Sequence, residues 1–158
     1  MIIQEYTYLI DFEEINLSGV NLSKRNMEGI NFFKAQLFQT DLTGSNLTKV
    51  NLGLANLRGA KLNLANLESA NLSDVDLTWA DLKKTNLKFA NLAGATFRWA
   101  RFNDTDLRGA DLRFAKHLTI EQLKKARLDK KTRFPEHIAI NWKTDSSFVF
   151  NELISNEI

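Results

Sequence analysis

An apolar residue recurs at every fifth position of this chain from Phe12 to Leu112 without a single interruption. The 21 positions hold sixteen Leu, four Phe and one Met. Five residues of α-helix turn the chain by about 140° beyond a full circle, so these side chains would scatter around a helix. Five residues of straight strand reverse the face each time, which would leave every second side chain in water. The period therefore excludes both long helices and long strands.

The five-residue unit reads as a small apolar residue, Asn or Asp, Leu and two variable residues, as in Ala55-Asn56-Leu57-Arg58-Gly59. The small residue and the Leu lie two positions apart and share a face, as in a short β segment, while the Asn between them points away. The two variable residues must then turn the chain. If each unit turns it by a quarter, four units close a coil of about 20 residues, and successive coils can stack at the strand spacing of about 4.8 Å.

These units resemble the A(D/N)LXX motif of the pentapeptide repeat proteins. The resemblance covers about Ile10 to Phe114, two-thirds of the chain. It implies an all-β solenoid, a right-handed quadrilateral β-helix. With four units in each coil, the 21 units give about five coils. Residues 20 apart should then stack, and Asn side chains in one column should form hydrogen-bonded ladders. The predicted core includes Phe12, Phe32, Leu47, Leu52, Leu67, Leu72, Leu87, Leu92, Leu107 and Leu112.

Both ends of such a solenoid need covering because they expose strand edges and core. We predict three segments: an N-terminal cap at residues 1–9, the β-helix at 10–116, and a C-terminal capping helix and tail at 117–158. Thr119-Ile120-Glu121-Gln122 is a capping box, which predicts a short helix reaching Ala126 or Leu128, with Leu118, Leu123 and Leu128 on its apolar side. The apolar residues beyond it either pack on the last coil or form a homodimer interface; they are Trp142, Phe148, Phe150, Leu153 and Ile154.

The sequence offers no catalytic or cofactor site. It contains no Cys and two His, too few of the usual ligands for zinc, and no phosphate-binding or nucleophile motif. We predict no enzymatic activity, no cofactor and no metal. A rigid solenoid more often acts through its surface, so we predict a protein-binding or scaffold module whose partner the sequence does not identify.

A candidate interaction surface follows from the variable positions near the C-terminal coils. Trp79 and Trp99 lie one coil apart at the second variable position. Exposed aromatic residues beside Arg are typical of partner sites. The alternative is that the C-terminal tail covers these aromatics. The full candidate surface consists of Phe38, Arg58, Trp79, Arg98, Trp99, Arg101 and Phe114.

The charge distribution argues against two other classes of partner. A net charge of +2 predicts no nucleic-acid partner, and no apolar run is long enough for a membrane helix, so we expect a cytoplasmic protein without a membrane partner. The resemblance also implies an alternative function, a DNA-mimicking modulator of DNA gyrase. The column Asn21, Asp41, Lys61, Asp81 and Arg101 alternates in sign and the repeat is unbroken, which disfavours that alternative.

Overall fold

The computed structural model describes residues 11–145 and 147–151. From Asp11 onward the backbone forms single-residue parallel bridges between positions 20 apart, so that Asn31, for example, pairs with both Asp11 and Asn51. Four such bridges fall within each 20 residues, one for every five-residue unit. The chain is therefore a β-helix in which each coil takes 20 residues, and no bridge in this region extends into a longer strand.

The core of the β-helix consists of the Leu and small-residue positions, which point inward together. Among the predicted core residues, Leu67 and Leu87 are fully buried, and the others from Phe32 to Leu112 are no more than 2% exposed. Small residues are needed beside the Leu because the interior of a coil is narrow. Where the small residue is Thr85 or Thr105, its buried hydroxyl donates to the carbonyl oxygen of Leu62 or Leu82. Burying these hydroxyls therefore leaves no unpaired donor.

The first coil is less well packed than those that follow. Phe12 was predicted as core but is only partly buried, and it stacks on Phe32 with ring centroids 5.5 Å apart. Val20 is 38% exposed. Arg25, which occupies a small-residue position, is exposed, so its charge stays in water. The N-terminal cap predicted at residues 1–9 lies outside the described residues.

The Asn and Asp positions have two structural tasks. The side-chain oxygen of Asn71 accepts a hydrogen bond from the backbone N–H of Ser73 at 3.2 Å, which holds the start of the turn. Its side-chain nitrogen donates to the oxygen of Asn51 in the next coil at 2.8 Å. The predicted ladder is thus present in this column, where Asn91, Asn71, Asn51, Asn31 and Asp11 are linked in series.

A left-handed backbone at the second variable position makes each corner of the coil. All 21 of these residues, from Glu14 to Phe114, have φ between 52° and 73°. Six of the seven Gly of the chain lie here, and none of the 21 is Val, Ile or Thr. Glycine adopts this conformation freely, whereas β-branched residues do so only with strain. The residue types found at this one position therefore indicate that the chain turns there.

We expect Gly19→Ala to lower the free energy of unfolding by about 1 kcal/mol. A Cβ at Gly19 would meet nothing within 4 Å, so the cost comes from the positive φ of 72° alone. Ser69→Gly, at φ 58°, should instead raise the free energy of unfolding. Urea denaturation measures both, with Ser18→Ala at the neighbouring residue as the control. An unchanged midpoint for Gly19→Ala would contradict the turn.

The segment after Lys116 continues the coil irregularly. The predicted helix begins where expected, with Thr119 as its N-cap, but α1 spans only Ile120–Leu123, so the predicted extent to Ala126 or Leu128 is wrong. The chain must leave the helix early because Arg127 returns to the last regular coil, where its N–H donates to the Thr105 carbonyl at 2.8 Å. Arg133 does the same with Ala110 at 2.9 Å. Leu118, Leu123 and Leu128 are buried beneath these contacts.

A small antiparallel hairpin follows, formed by β1 (Ala139–Trp142) and β2 (Phe148–Asn151). Ile140 pairs with Phe150 and Trp142 with Phe148, which places these four apolar side chains on one face. All four pack against the buried core. Val149 lies on the other face and is 46% exposed. Leu153 and Ile154, which the sequence predicts either on the last coil or in a homodimer interface, lie outside the described residues.

Candidate functional site

The strongest candidate site is a pair of stacked, exposed indoles. Trp79 and Trp99 occupy the same turn position in successive coils, and their ring centroids lie 4.5 Å apart with an angle of 30° between the rings. They are 58% and 56% exposed. The guanidinium of Arg98 lies 5.1 Å from the Trp99 centroid, within reach of a cation–π contact. The pair therefore presents a preformed aromatic surface with a cation at its edge.

The start of the C-terminal tail borders this pair but does not cover it. Arg98, Trp99, Ala100, His117, Thr119 and Gln122 line an open concavity of about 520 Å³. A nitrogen of the Arg98 guanidinium lies 3.1 Å from Nε2 of His117. The Gln122 side chain donates to the carbonyl oxygens of Phe97 and Ala100, at 2.8 and 3.0 Å, and so fixes the border of the concavity. Of the two alternatives that the sequence left open, the described residues favour an accessible surface.

Two further predicted residues lie in the column before Arg98, at the first variable position. Phe38 is 42% exposed. Arg58 lies one coil further on and forms an ion pair of 3.5 Å with Asp76. Thr78 separates Arg58 from Arg98 in this column and is buried. The side of the β-helix next to the Trp pair thus carries one aromatic and two cationic groups in a line.

The structure separates the last two predicted residues from this group. Arg101 belongs to the next side, where it pairs with Asp81 at 3.4 Å, as Lys61 pairs with Asp41 at 3.6 Å. The charges that alternate along the column Asp41, Lys61, Asp81 and Arg101 are therefore neutralised by ion pairs between successive coils. Phe114 is 69% exposed but borders a different concavity of about 440 Å³, together with Phe134, Pro135, Glu136 and His137. Phe114 is not part of the Trp surface.

The candidate surface leaves out three exposed apolar residues at the same turn position. Leu54 is 50% exposed, Leu64 is 59% exposed and Phe89 is 53% exposed. The signal for all three is available in the sequence, because the second variable position points outward in every unit. Phe89 lies beside tail residues 130–133, and no sequence pattern indicated that the tail returns there.

No group of three or more His, Cys, Asp or Glu residues in the described part of the chain is placed to hold a metal ion. None of the helices in residues 11–145 and 147–151 is long and apolar enough to cross a bilayer.

Comparison with known proteins identifies the repeat. The sequence model of the pentapeptide repeats matches residues 15–53, 51–88 and 90–116. No curated protein matches the chain significantly in sequence.

Solved structures similar to the chain include three pentapeptide-type proteins. The pentapeptide repeat protein Rfr23 from the cyanobacterium Cyanothece 51142 is 27% identical, with 78% of this chain and 90% of that chain covered and a TM-score of 0.45. HetL from the cyanobacterium Nostoc, a pentapeptide repeat protein involved in heterocyst differentiation regulation, is 27% identical. The match covers 79% of this chain and 70% of HetL, with a TM-score of 0.37. A trypsin-treated form of QnrB1, a plasmid-mediated fluoroquinolone resistance protein, is 14% identical, and the match covers 81% of this chain and 79% of QnrB1, with a TM-score of 0.55. The family and the likeness to QnrB1 imply that the β-helix is right-handed.

Proposed function

Because the chain belongs to the pentapeptide repeat family, whose members are generally non-enzymatic scaffolds, we propose that it is a protein-binding module that engages its partner through Trp79 and Trp99. The observation that carries the proposal is the exposed indole stack, with centroids 4.5 Å apart, on a rigid β-helix. We include in the proposal a quadrilateral body of about five coils, covered at its C-terminal end by residues 117–158, and a cytoplasmic location.

The fold itself does not require indoles at these positions. The same column holds Gly19, Gln39 and Gly59 in the earlier coils, all with the same left-handed backbone. A bulky side chain is less compatible with that conformation than Gly, so Trp79 and Trp99 are retained against a local backbone cost. Neither indole gains much burial in return, because more than half of each remains exposed. A partner that covers both rings would supply that missing burial.

The chemistry of the surface defines the partner that it fits. Trp and Arg are the residues most enriched among those that dominate binding energy at protein interfaces. The stack is already formed, so little side-chain entropy is lost when a partner binds. Arg98 beside it favours a partner with an apolar group for the indoles and a carboxylate next to that group, whereas Arg58 is already paired with Asp76. Nothing in the described residues favours gyrase as this partner, because the pairs Asp41–Lys61 and Asp81–Arg101 leave no continuous acidic column.

We expect the double variant Trp79→Gln/Trp99→Gln to lose its partner in affinity capture from native cell extract, with at least about a 30-fold loss of affinity for the purified partner. Gln is chosen because Gln39 already occupies this column at φ 55°. Quantitative mass spectrometry of the captured proteins, followed by titration calorimetry with the purified partner, measures the effect.

The matched control is Leu54→Gln/Leu64→Gln, which removes two equally exposed apolar side chains from the same turn position elsewhere. It should capture the same proteins as the wild type, and both double variants should keep the wild-type melting temperature. If the Trp variant captures every protein as well as the wild type does, the Trp surface is not the binding site.

A further inference from the structure

The net charge of +2 hides a strongly basic C-terminal part of the β-helix. Residues 81–133 contain 14 Lys and Arg against 6 Asp and Glu, a net charge of +8. Residues 1–80 and 134–158 each carry −3, which cancels most of it. Since the tail folds back on the last coils, the cations at 124–133 join those at 83–113 on one body. The whole-chain charge therefore does not describe the field that a ligand meets there.

Three shallow concavities along the last coils are lined by these cations. The first, of about 320 Å³, is lined by Lys124, Lys125 and Arg127. The second, of about 530 Å³, shares Arg127 and adds Lys84 and Lys88. The third, of about 540 Å³, begins at Phe89, the residue after Lys88, and is lined by Lys130, Lys131 and Arg133. We call the set Lys84, Lys88, Phe89, Lys125, Arg127 and Lys131 the C-terminal basic face.

Most carboxylates near this face are neutralised by cations that lie beside them. Burial opposes ionisation of Asp106, but its bidentate hydrogen bonds from Arg108, together with Lys88, hold its pKa below the usual value. Arg113 donates to Asp111 at 2.6 Å and lowers the pKa of that carboxyl. In contrast, Lys84, Lys125, Arg127 and Lys131 are exposed and have no carboxylate within ion-pair distance among the described residues. These four cations are available to an anionic ligand.

Phe89 supplies a flat aromatic surface in the middle of the cations. The Cδ1–Cε1 edge of its ring lies so close to Gly109 that a Cβ at this position would clash with it. The absence of a side chain at Gly109 thus leaves room for the ring beside the backbone. The side chain is still 53% exposed, so its outer side faces solvent beside Lys130 and Lys131. An aromatic ring held in this way, with cations around it, is the arrangement on which an unpaired base stacks.

We propose that the C-terminal basic face binds single-stranded nucleic acid, with phosphates at Lys84, Arg127 and Lys131 and a base on Phe89. A basic surface that follows the backbone, combined with an aromatic platform, is how proteins bind single strands without sequence preference. A duplex keeps its bases stacked inside and would leave the Phe89 ring unused. An anionic membrane fits less well, because Phe89 is the single large apolar side chain exposed among the described residues of this face. The face lies apart from the Trp surface, so this proposal is independent of the protein-binding function.

Fluorescence anisotropy with a labelled single-stranded oligonucleotide of about 12 nucleotides tests the proposal on the full chain. The logarithm of the binding constant should fall with the logarithm of salt concentration, with a slope of about −0.7 for each phosphate contacted. Lys84→Gln/Arg127→Gln/Lys131→Gln should reduce the magnitude of that slope by about 2. Phe89→Leu should weaken binding about tenfold while it leaves the slope unchanged.

The matched control is Lys24→Gln/Arg25→Gln/Lys49→Gln, which removes three exposed cations from the N-terminal coils. It should bind as the wild type does. The proposal is overturned if the oligonucleotide does not bind, if the control weakens binding as much as the triple variant does, or if a duplex of equal length binds as tightly and Phe89→Leu has no effect. Binding to phosphatidylserine vesicles without binding to the oligonucleotide would overturn it in favour of a membrane surface.

Discussion

Leu67→Asp is expected to unfold the protein. Leu67 is fully buried and stacks between Leu47 and Leu87 in one interior column. The substitution removes an apolar side chain from a close-packed position, which costs about 2–5 kcal/mol, and leaves a charge without a partner, which costs about 3–5 kcal/mol. The sum is comparable to the whole stability of a small domain. Circular dichroism should show loss of the cooperative thermal transition, or a soluble fraction too small to measure.

Leu64→Asp is the matched control for this prediction. Leu64 lies three residues earlier in the same coil but is 59% exposed. Asp already occupies the same turn position at residues 74 and 104, where the backbone is also left-handed. This variant should change the free energy of unfolding by no more than about 0.5 kcal/mol. A Leu67→Asp protein that melts at the wild-type temperature would show that the five-residue period does not point into a core.

The five-residue period is sufficient to predict the interior of this protein. It fixes which side chains point inward, because no regular helix or strand accommodates it, and Leu47 to Leu112 are buried as predicted. The hydrogen-bonded Asn column follows from the same reasoning, since residues 20 apart must stack. Burial at the ends is harder to predict. Phe12 satisfies the period, yet it is only partly buried.

The C-terminal segment shows where sequence patterns give an incomplete answer. The capping box at Thr119 predicts where a helix begins, but it carries no information on where the helix ends. Leu118, Leu123 and Leu128 were assigned to one face of a helix. Their spacing of five residues is the period of the repeat, displaced by one residue after Lys116. The bridges Asp106–Arg127 and Asp111–Arg133, at 21 and 22 residues, record that displacement in the structure.

The candidate surfaces were predictable only in part. The repeat predicts which side chains are exposed and which share a column, but it does not predict which of them the tail approaches. Trp79 and Trp99 share a column, so their stacking follows from the coil length. Phe114 was grouped with them because it also faces outward, but it lies at a different corner of the coil. The basic excess of residues 81–116 is visible in the sequence, but the basic face is not, because its other cations come from the tail and join the first set only when the tail folds back.

Deleting residues 117–158 is expected to cause aggregation or end-to-end assembly. The tail hydrogen-bonds the edge of the last coil, where the N–H groups of Leu107 and Leu112 donate to the carbonyls of Arg127 and Arg133 at 2.9 and 2.8 Å. In the full-length chain Phe102 of the last regular coil is only 1% exposed. Without the tail, a free strand edge and large apolar side chains would face solvent together, which favours pairing between molecules. Light scattering during size-exclusion chromatography should show species larger than the full-length protein.

Two substitutions in the full-length chain separate a covering role for the tail from an interface role. Leu123→Asp places a charge at a fully buried position within the tail and should reproduce the assembly expected on deletion. Val149→Asp, at an exposed position on the outer face of the hairpin, should not. If the tail instead joins two protomers, the intact protein will be a dimer, and the truncated chain will be a soluble monomer. That result would refute the cap, because a terminal coil that stays soluble without residues 117–158 does not need them as a cover.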